Sequence, residues 1–422
     1  MLGDRKMIDM NIKDFVDPIE LGLKMNTRVI SGQVVQTVKS SRYNVVLLLM
    51  KHPYFSQLRF NTFDKTVYWN GKALDDNQLG RIATWMEAVY NITPSTQLVL
   101  ESVGQVAEDK QYNPLKEYFD GKEWDGKPRL EFLLERYFGA EPSPLNRAYS
   151  KKYFVGAIKR AMFSTIDKPV KHEACLALFG RQGLGKSTAV ETLAILPRWF
   201  GDTPLEMGSK DAVILIQGKL LYELKEMAKR AKDKKVEKAF IDEKVDSLRL
   251  PYGKLRIDLP RRCSFIATTN RLDILTDATG SRRWWPVMCG YDWENGDMTP
   301  WPKGRMIDIK GLKRDREQLW LEALHLANNE SFQWWLSDEE ELLRENGREA
   351  FTANHPWTPT IQLLLKQLPQ YFQVDDILSR MDIPVAQRDH KARIIIESIL
   401  MELGYNKARR YTSFGRKWAW GK

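Results

Sequence analysis

The chain has 422 residues, of which 43% are apolar, and its 65 Lys and Arg against 55 Asp and Glu give a formal net charge of +10. This length and apolar share predict two or three domains with real cores and exclude a disordered protein. The positive charge favours polyanionic partners, with nucleic acid first. Charged residues interrupt residues 1–16, and no apolar run is long enough to cross a bilayer, so we expect no signal peptide and no membrane partner.

Residues 1–110 predict a small N-terminal α+β domain without a catalytic signature. Tyr43–Met50 is an apolar run typical of a buried strand, whereas Gln78–Tyr90 has helical spacing. Residues 111–150 contain many Pro and Gly and predict a helical connector with short pieces such as Arg129–Phe138.

Residues 151–335 are predicted to form the catalytic domain. It is entered through a basic amphipathic helix, Tyr149–Phe163, whose expected solvated face carries Lys151, Lys152, Lys159 and Arg160. The three cysteines, Cys175, Cys263 and Cys289, lie in or beside apolar segments without C-x-x-C spacing, which predicts reduced core residues in a cytosolic protein.

A glycine-rich loop follows the predicted buried strand Ala174–Leu178. Residues 179–188 have the sequence FGRQGLGKST, which satisfies G-x-x-x-x-G-K-[ST], and a helix is expected from Ser187 to Leu196. Such a loop turns its backbone N–H groups toward phosphates, its lysine reaches the β- and γ-phosphates, and its serine hydroxyl binds Mg²⁺. We therefore predict a nucleoside triphosphate site formed by Gly180, Gln182, Gly183, Leu184, Gly185, Lys186, Ser187 and Thr188.

Two acidic residues follow at the end of another apolar run. The strand from Lys219 is expected to end at Glu223, and Glu226 comes three residues later. One carboxylate near Mg²⁺ and a second one that polarises water would suit phosphoryl transfer to water. The alternative is a strand that runs into an acidic helix start.

A third apolar strand and an arginine pair complete the series. Cys263–Asn270 ends in hydroxyls and an amide, and the amide of Asn270 suits a γ-phosphate or the attacking water. Arg282 and Arg283 precede another apolar run, and one of them would stabilise transition-state charge if it reached the nucleotide of a neighbouring subunit. The alternative is a surface pair.

Residues 336–422 predict a C-terminal helical domain of winged-helix-like layout. Helices are expected at Arg316–Glu330, before this domain, and at Asp338–Phe351, at its start. From Ile361 onward, three more helices are expected, at Gln362–Leu368, Val374–Met381 and Ala386–Leu403. Short strands are expected at Lys407–Trp420. Cations alternate with aromatic rings in the last stretch, which favours contact with phosphates; the alternative is a basic edge packed against the catalytic domain.

The chain resembles the virulence-associated protein E family of phages and mobile elements, which belongs with the superfamily 3 helicases of the AAA+ class. The resemblance covers roughly Asn113 to Val287. Its motifs, in single-letter code, are NP at 113–114, WDGKPRL at 124–130, the glycine loop, YELKE at 222–226, PYG at 251–253, DLPR at 258–261, TTN at 268–270 and TGSRRWWPV at 279–287.

This resemblance implies an α/β fold with a P-loop AAA+ core. It implies a ring, usually hexameric, that hydrolyses ATP between subunits and moves along single-stranded DNA. Lys186 and Ser187 would take the Walker A roles, Glu223 and Glu226 the Walker B roles, Asn270 that of sensor 1, and Arg282 or Arg283 that of the arginine finger, with Ser187 and Glu223 at the metal. Which glutamate activates water is open, because Leu224 and Lys225 separate them.

The resemblance also places a DNA-gripping hairpin just before sensor 1. The matching residues are 249–256, where Pro-Tyr-Gly makes a turn, Lys254 or Arg256 would meet phosphates and Tyr252 would stack on bases. The alternative is a solvent-exposed turn.

The leading hypothesis is therefore an ATP-dependent DNA helicase or replication initiator of a phage or mobile element, with ATP and Mg²⁺ as cofactors. Its expected partners are single-stranded or forked DNA, further copies of itself and other replication proteins, in the cytoplasm of a bacterial host. The alternative is a DNA-binding regulatory or loader ATPase without processive unwinding.

Overall fold

The computed structural model describes residues 15–225, 234–248, 256–270, 281–290, 306–347, 357–381, 383–384, 388, 390–412 and 415–421. The chain divides into two compact units, Met1–Asp120 and Gly121–Lys422. The predicted finer boundaries at 110, 150 and 335 stay predictions. Within the described ranges, no helix combines the length and the apolar character that a membrane span requires.

The first unit is a small mixed α/β body. Its elements, in chain order, are α1 (Pro18–Leu21), β1 (Met25–Ile30), β2 (Gln33–Val38), α2 (Arg42–Lys51), β3 (Arg59–Asn61), β4 (Thr66–Trp69), β5 (Lys72–Ala73), α3 (Asp76–Tyr90), α4 (Thr96–Glu108), β6 (Gln111–Tyr112) and α5 (Pro114–Phe119). The strands β5, β4, β3 and β6 form one sheet in that order, and β1 pairs with β2 in a separate hairpin. Helices α2, α3 and α4 pack together over an apolar core.

The prediction of a strand at Tyr43–Met50 is wrong, because this segment lies in helix α2. The Ser41 side chain accepts a hydrogen bond from the Asn44 backbone N–H and caps the helix start. A short apolar run that is buried on several sides has no clear period, so it does not distinguish a strand from a buried helix. The helix at Gln78–Tyr90 is confirmed as α3, which begins with a capping box between Asp75 and Gln78.

The second unit is built around a parallel sheet. Its elements are α6 (Leu133–Phe138), α7 (Pro144–Phe163), β7 (Cys175–Phe179), α8 (Lys186–Leu193), β8 (Phe200–Gly201), α9 (Lys210–Leu215), β9 (Leu221–Lys225), α10 (Lys234–Asp242), β10 (Val245–Leu248), β11 (Ile257–Pro260), β12 (Ser264–Thr269), β13 (Trp284–Met288), α11 (Ile309–Asn328), α12 (Asp338–Gly347), α13 (Thr358–Leu365), α14 (Val374–Arg380), α15 (His390–Glu402), β14 (Asn406–Thr412) and β15 (Gly415–Gly421).

The sheet order is β13-β7-β12-β9-β8, and every pair in it is parallel. Every residue of β7 and β12 is buried, as expected for strands covered on both faces. Strand β12 separates β7 from β9, so the carboxyl ends of these three strands meet at one edge. The α/β class with a parallel sheet is confirmed, and Cys175, Cys263 and Cys289 are buried free thiols as predicted.

Helix α7 differs from its prediction as a helix with a solvated basic face. The Arg160 side chain is fully buried and donates hydrogen bonds to the carbonyl oxygens of His172 at 2.7 Å and Arg261 at 3.3 Å. Lys151 pairs with Glu131 and Lys152 with Glu340. The partners of these cations lie in other segments of the chain, so helical periodicity alone could not reveal them.

The buried imidazole of His172 predicts an acid-sensitive fold. Burial, with a smaller contribution from the charge of Arg160, lowers the pKa of His172 to about 3. The unfolded chain binds the proton below about pH 6.5 and the folded chain does not. The free energy of unfolding therefore falls as the pH drops from about 6.5 toward 3, by about 1.4 kcal/mol per pH unit from this group.

Replacement His172→Gln should reduce this fall in the free energy of unfolding at low pH, which we call the acid limb. Thermal unfolding of both proteins between pH 7 and pH 4.5 measures the difference. His325→Gln is the matched control, because His325 is exposed on α11 and should leave the limb unchanged. An acid limb of equal slope in wild type and His172→Gln would contradict the assignment.

The end of the chain follows its predicted order of three helices and a hairpin. Helices α13, α14 and α15 share an apolar core with the hairpin residue Trp420. Strands β14 and β15 pair in antiparallel register, with Lys407 opposite Trp420 and Arg409 opposite Trp418. We refer to residues 357–421 as the C-terminal module.

Candidate functional site

The glycine loop connects β7 to α8 at the carboxyl edge of the sheet. Gly185 takes the position before the first helical residue with a φ of +94°, a conformation that side chains with a Cβ rarely adopt. A Cβ on Gly180 would lie 2.7 Å from Leu184 Cδ2 and 3.2 Å from the carbonyl oxygen of Cys289. Both glycines are therefore required by the path of the loop and the packing around it.

Lys186 holds its ammonium group against the loop. Its Nζ donates hydrogen bonds to the carbonyl oxygens of Gly180 at 2.7 Å and Arg181 at 2.9 Å. Burial lowers the pKa of Lys186, because a charged amine is poorly solvated there. The N-terminus of α8 begins at the same residue, so the loop combines a cation with a helix end suited to anions.

The carboxylate of Glu223 connects the loop helix to the middle strand. Its Oε1 accepts hydrogen bonds from Ser187 Oγ at 2.5 Å and from Thr268 Oγ1. Glu223 is fully buried, and among the described residues its Oε2 has no hydrogen-bond partner, although Lys225 Nζ lies 3.9 Å away. Strand β9 continues to Lys225, so Glu223 lies inside the strand rather than at its end.

This carboxylate and the serine hydroxyl fit a magnesium ion. Mg²⁺ prefers oxygen ligands and commonly takes one or two carboxylates in addition to phosphate oxygens and water. A buried carboxylate oxygen without a hydrogen bond is costly unless a cation or another donor satisfies it. Glu223 and Ser187 supply these oxygens side by side.

A cleft of about 710 Å³ opens over these groups. Its volume is typical of small-molecule sites. The cleft brings together eight of the predicted residues with three that were not assigned a role, namely Gln182, Gly183, Leu184, Gly185, Lys186, Ser187, Thr188 and Asn270 with Lys225, Thr268 and Thr269. Asn270 is exposed at the end of β12, where its amide can reach into the cleft.

Lys225 was missed by the sequence reasoning. It lies two residues after Glu223 on the same strand, pairs with Asp202 and lines the cleft. Residues two apart on a strand share a face, so the spacing of Glu223 and Lys225 was the signal that could have found it. The second predicted acid, Glu226, lies outside the described residues.

Arg282 and Arg283 lie at the opposite edge of the sheet from the glycine loop. They precede β13, whose Trp284 pairs with Cys175 at the start of β7 and whose Met288 pairs with Phe179 at its end. Five strand residues separate these two edges by about 17 Å. Neither guanidinium is therefore placed to reach the cleft of its own chain.

The two arginines have different surroundings. Arg283 is buried, and its Nε donates to Asp242 Oδ1 at 2.5 Å while its second nitrogen donates to Asp242 Oδ2. The hydrogen bond to Asp242 raises the pKa of Arg283. Arg282 keeps 56% of its side chain exposed, and its Nε lies 3.6 Å from Glu173 Oε1.

Strands β10 and β11 form an antiparallel hairpin directly before β12. Arg256 is exposed just ahead of β11, whereas Tyr252 and Lys254 lie outside the described residues. At the base of the hairpin, the buried Arg261 donates to both carboxylate oxygens of Asp246, each from its Nε at 3.0 Å. This contact joins the two strands of the hairpin at the end away from its turn.

Comparison with known proteins gives one family and distant structures. The family described as the virulence-associated protein E-like domain matches residues 119–353. An apo structure of the NrS-1 C-terminal region has a TM-score of 0.40 and 12% identity, and the match covers 86% of this chain and 95% of that one. The A form of the same region has a TM-score of 0.40 and 13% identity, covering 82% and 87%. No curated protein matches the sequence significantly.

Proposed function

The chain belongs to the virulence-associated protein E-like domain family, and on that premise we propose that it is a P-loop ATPase of the AAA+ class that acts in the replication of a phage or mobile element. The observation that carries the proposal is the cluster of Ser187, Glu223 and Thr268 directly below the glycine loop. It joins a phosphate-binding helix start to an acidic strand and to the strand that ends in Asn270.

In this proposal, residues in and beside the cleft hold a triphosphate for attack by water. The loop N–H groups and Lys186 bind the β- and γ-phosphates, and Ser187 and Glu223 hold Mg²⁺. When bound, Mg²⁺ neutralises charge that develops on the phosphate oxygens. Asn270 orients the attacking water or the γ-phosphate, and Glu226 or Glu223 accepts the proton of that water.

Arg282 is the better candidate for the arginine finger. Arg283 already has both carboxylate oxygens of Asp242 as acceptors and is buried, whereas Arg282 projects from the surface with a longer contact to Glu173. Its distance from its own cleft favours action on the nucleotide of a neighbouring copy. We therefore propose a ring, with a hexamer as the expected size.

In this proposal the ring moves along single-stranded DNA, and Arg256, together with Tyr252 and Lys254 before it in the sequence, contacts the DNA. The deciding test has two measurements. The first is the rate of ATP hydrolysis as the concentration of single-stranded DNA is raised, and the second is strand displacement from a fork. The mass of the particle, measured with and without nucleotide, tests whether a ring forms. ATP hydrolysis that ignores DNA, together with no strand displacement, would exclude a helicase.

Glu223→Gln tests the metal role of the cluster. We expect hydrolysis to fall by about 100-fold or more, because the amide keeps the shape of the side chain but removes the charge that holds the cation. Residual activity should need a higher Mg²⁺ concentration for half-maximal rate. Lys225→Gln is the matched control for charge in the cleft and should shift the Mg²⁺ requirement much less. An unchanged Mg²⁺ requirement in Glu223→Gln would contradict the metal role.

The alternative, a DNA-binding regulatory or loader ATPase, is favoured by the hairpin of the C-terminal module. There the guanidinium of Arg409 lies 5.9 Å from the Trp418 ring centre, and Arg409 is exposed. A wing of this kind can hold duplex DNA through phosphates. Arg409→Ala should weaken binding to duplex DNA whether the protein is a helicase or a loader ATPase. A helicase should displace strands from non-specific forks both before and after this change, whereas a loader ATPase should not displace them at all.

A further inference from the structure

A second, smaller cavity of about 140 Å³ lies beside the glycine loop. Gly180, Leu184 and Cys289 line it from the catalytic core, and the C-terminal module lines it with Ile394, Met401 and Trp420. We call it the capping cavity. Leu184 and Asn270 line both this cavity and the larger cleft, so the two spaces are neighbours.

Trp420, one of the residues that line the capping cavity, has a hydrogen-bond donor without an acceptor. Trp420 is 3% exposed, and among the described residues its indole Nε1 has no hydrogen-bond partner. Buried N–H groups are almost always bonded, so a buried donor beside a cavity indicates an acceptor that enters from outside the chain.

A hydrogen-bond acceptor belongs to another residue that lines the same cavity. Glu397 on α15 is buried, and its Oε1 accepts a hydrogen bond from Lys407 Nζ at 3.0 Å. Burial raises the pKa of Glu397, and the nearby ammonium of Lys407 opposes this effect. The remaining walls include the sulfur atoms of Met288, Cys289 and Met401, which pack well against aromatic rings.

We propose that the capping cavity receives the purine base of the nucleotide whose triphosphate lies in the neighbouring cleft. The inference rests on the proposed ATPase function and adds the base site to it. A purine offers two flat apolar faces for the sulfur-rich walls. Its ring nitrogens can accept from Trp420 Nε1, and its N–H groups can donate to Glu397.

The proposal gives the C-terminal module a part in nucleotide binding. Trp420 and Glu397 belong to the module, whereas Lys186 and Ser187 belong to the core. A nucleotide that spans both would hold the module against the glycine loop, whereas a bare triphosphate would contact the core alone. The base therefore links the nucleotide to the module that carries the basic hairpin.

The test compares ATP, GTP, UTP and inorganic tripolyphosphate by calorimetric titration of the full chain with Mg²⁺. We expect the purine nucleotides to bind about tenfold more tightly than UTP and tripolyphosphate. Met401→Trp places a large ring at the cavity wall and should weaken ATP binding about tenfold while tripolyphosphate binding changes less than about twofold. Leu363→Trp is the matched control, since Leu363 is 61% exposed on the same module.

A second variant removes the donor and keeps an aromatic ring. Trp420→Phe should weaken ATP binding about threefold or more without changing tripolyphosphate binding, whereas Trp418→Phe, outside the cavity on the same strand, should change neither. Wild-type ATP affinity in both Met401→Trp and Trp420→Phe would overturn the base site, as would equal losses for ATP and tripolyphosphate. Failure of the wild-type chain to bind either ligand would instead overturn the ATPase proposal itself.

Discussion

Replacement of Lys186 with alanine is expected to abolish ATP hydrolysis while the fold persists. The Lys186 ammonium lies inside the glycine loop, and in the proposed ATPase it would bind the β- and γ-phosphates as charge moves to the leaving oxygen. Loss of a positioned cation from a water-poor site costs about 100-fold to 1,000-fold in turnover, and more when it also binds the ground state. We therefore expect a rate close to that of a protein-free blank.

The fold should survive because the hydrogen bonds of Lys186 Nζ go to two loop carbonyls that water can satisfy after the change. We expect the free energy of unfolding to change by no more than about 1–2 kcal/mol. Phosphate release and a thermal unfolding curve measure the two effects on one preparation. Lys313→Ala, at an exposed position of α11, is the control and should match wild type in both. Full turnover in Lys186→Ala would remove the nucleotide assignment.

Much of the site was predictable because it depends on residues close together in the chain. The glycine loop, the helix after it and the strand before it lie within residues 174–196, and their chemistry follows from residue type and spacing. The predicted helix extends to Leu196, but α8 ends at Leu193. Asn270 was found in the same way, because a polar residue that ends an apolar strand lies at the sheet edge where ligands bind.

The rest depends on contacts that the linear sequence does not show. Arg160 and Lys152 looked solvated because their acceptors lie in other segments of the chain; the carbonyl of Arg261 is 101 residues from Arg160, and the carboxylate of Glu340 is 188 residues from Lys152. The capping cavity has the same origin, since it needs Gly180 and Trp420 to meet. The prediction of a strand at Tyr43–Met50, in helix α2, failed for a different reason, because an apolar run that is buried on several sides has no period to detect.

The strand order adds something that no motif contains. The sequence placed the arginine pair after the sensor strand and left open which arginine acts. Because β13 pairs with β7 in parallel, the pair falls at the edge opposite to the loop. The surroundings of the two guanidinium groups then distinguish a buried arginine that pairs with Asp242 from a largely exposed one, which is the arginine proposed to act on another copy.

Arg282→Ala should therefore lose turnover by about 1,000-fold or more and keep its affinity for ATP within about threefold. The reason is that the proposed finger, Arg282, would contribute charge to the transition state from outside the cleft that binds the ground state. Its thermal midpoint should stay at that of wild type, since the guanidinium is largely exposed. Steady-state hydrolysis and calorimetric ATP titration measure the two quantities.

Arg283→Ala is the matched comparison, because it leaves the Asp242 carboxylate without its bidentate partner. We expect a loss of stability on the order of 1–3 kcal/mol, and a fall in hydrolysis only as far as the folded fraction falls. Severe loss of turnover at wild-type stability in Arg283→Ala, with Arg282→Ala active, would reverse the assignment of the two arginines.

Mixing the inactive variants tests whether the arginine acts across a subunit boundary. A Lys186→Ala subunit still carries Arg282, and an Arg282→Ala subunit still has an intact cleft, so some interfaces of a mixed ring combine both working parts. Activity should therefore reappear on mixing and rise with protein concentration as assemblies form. If Arg282 instead served the cleft of its own chain, every subunit in the mixture would lack one group and the mixture would stay inactive. Turnover by a strictly monomeric wild-type chain at full rate would exclude the shared site as well.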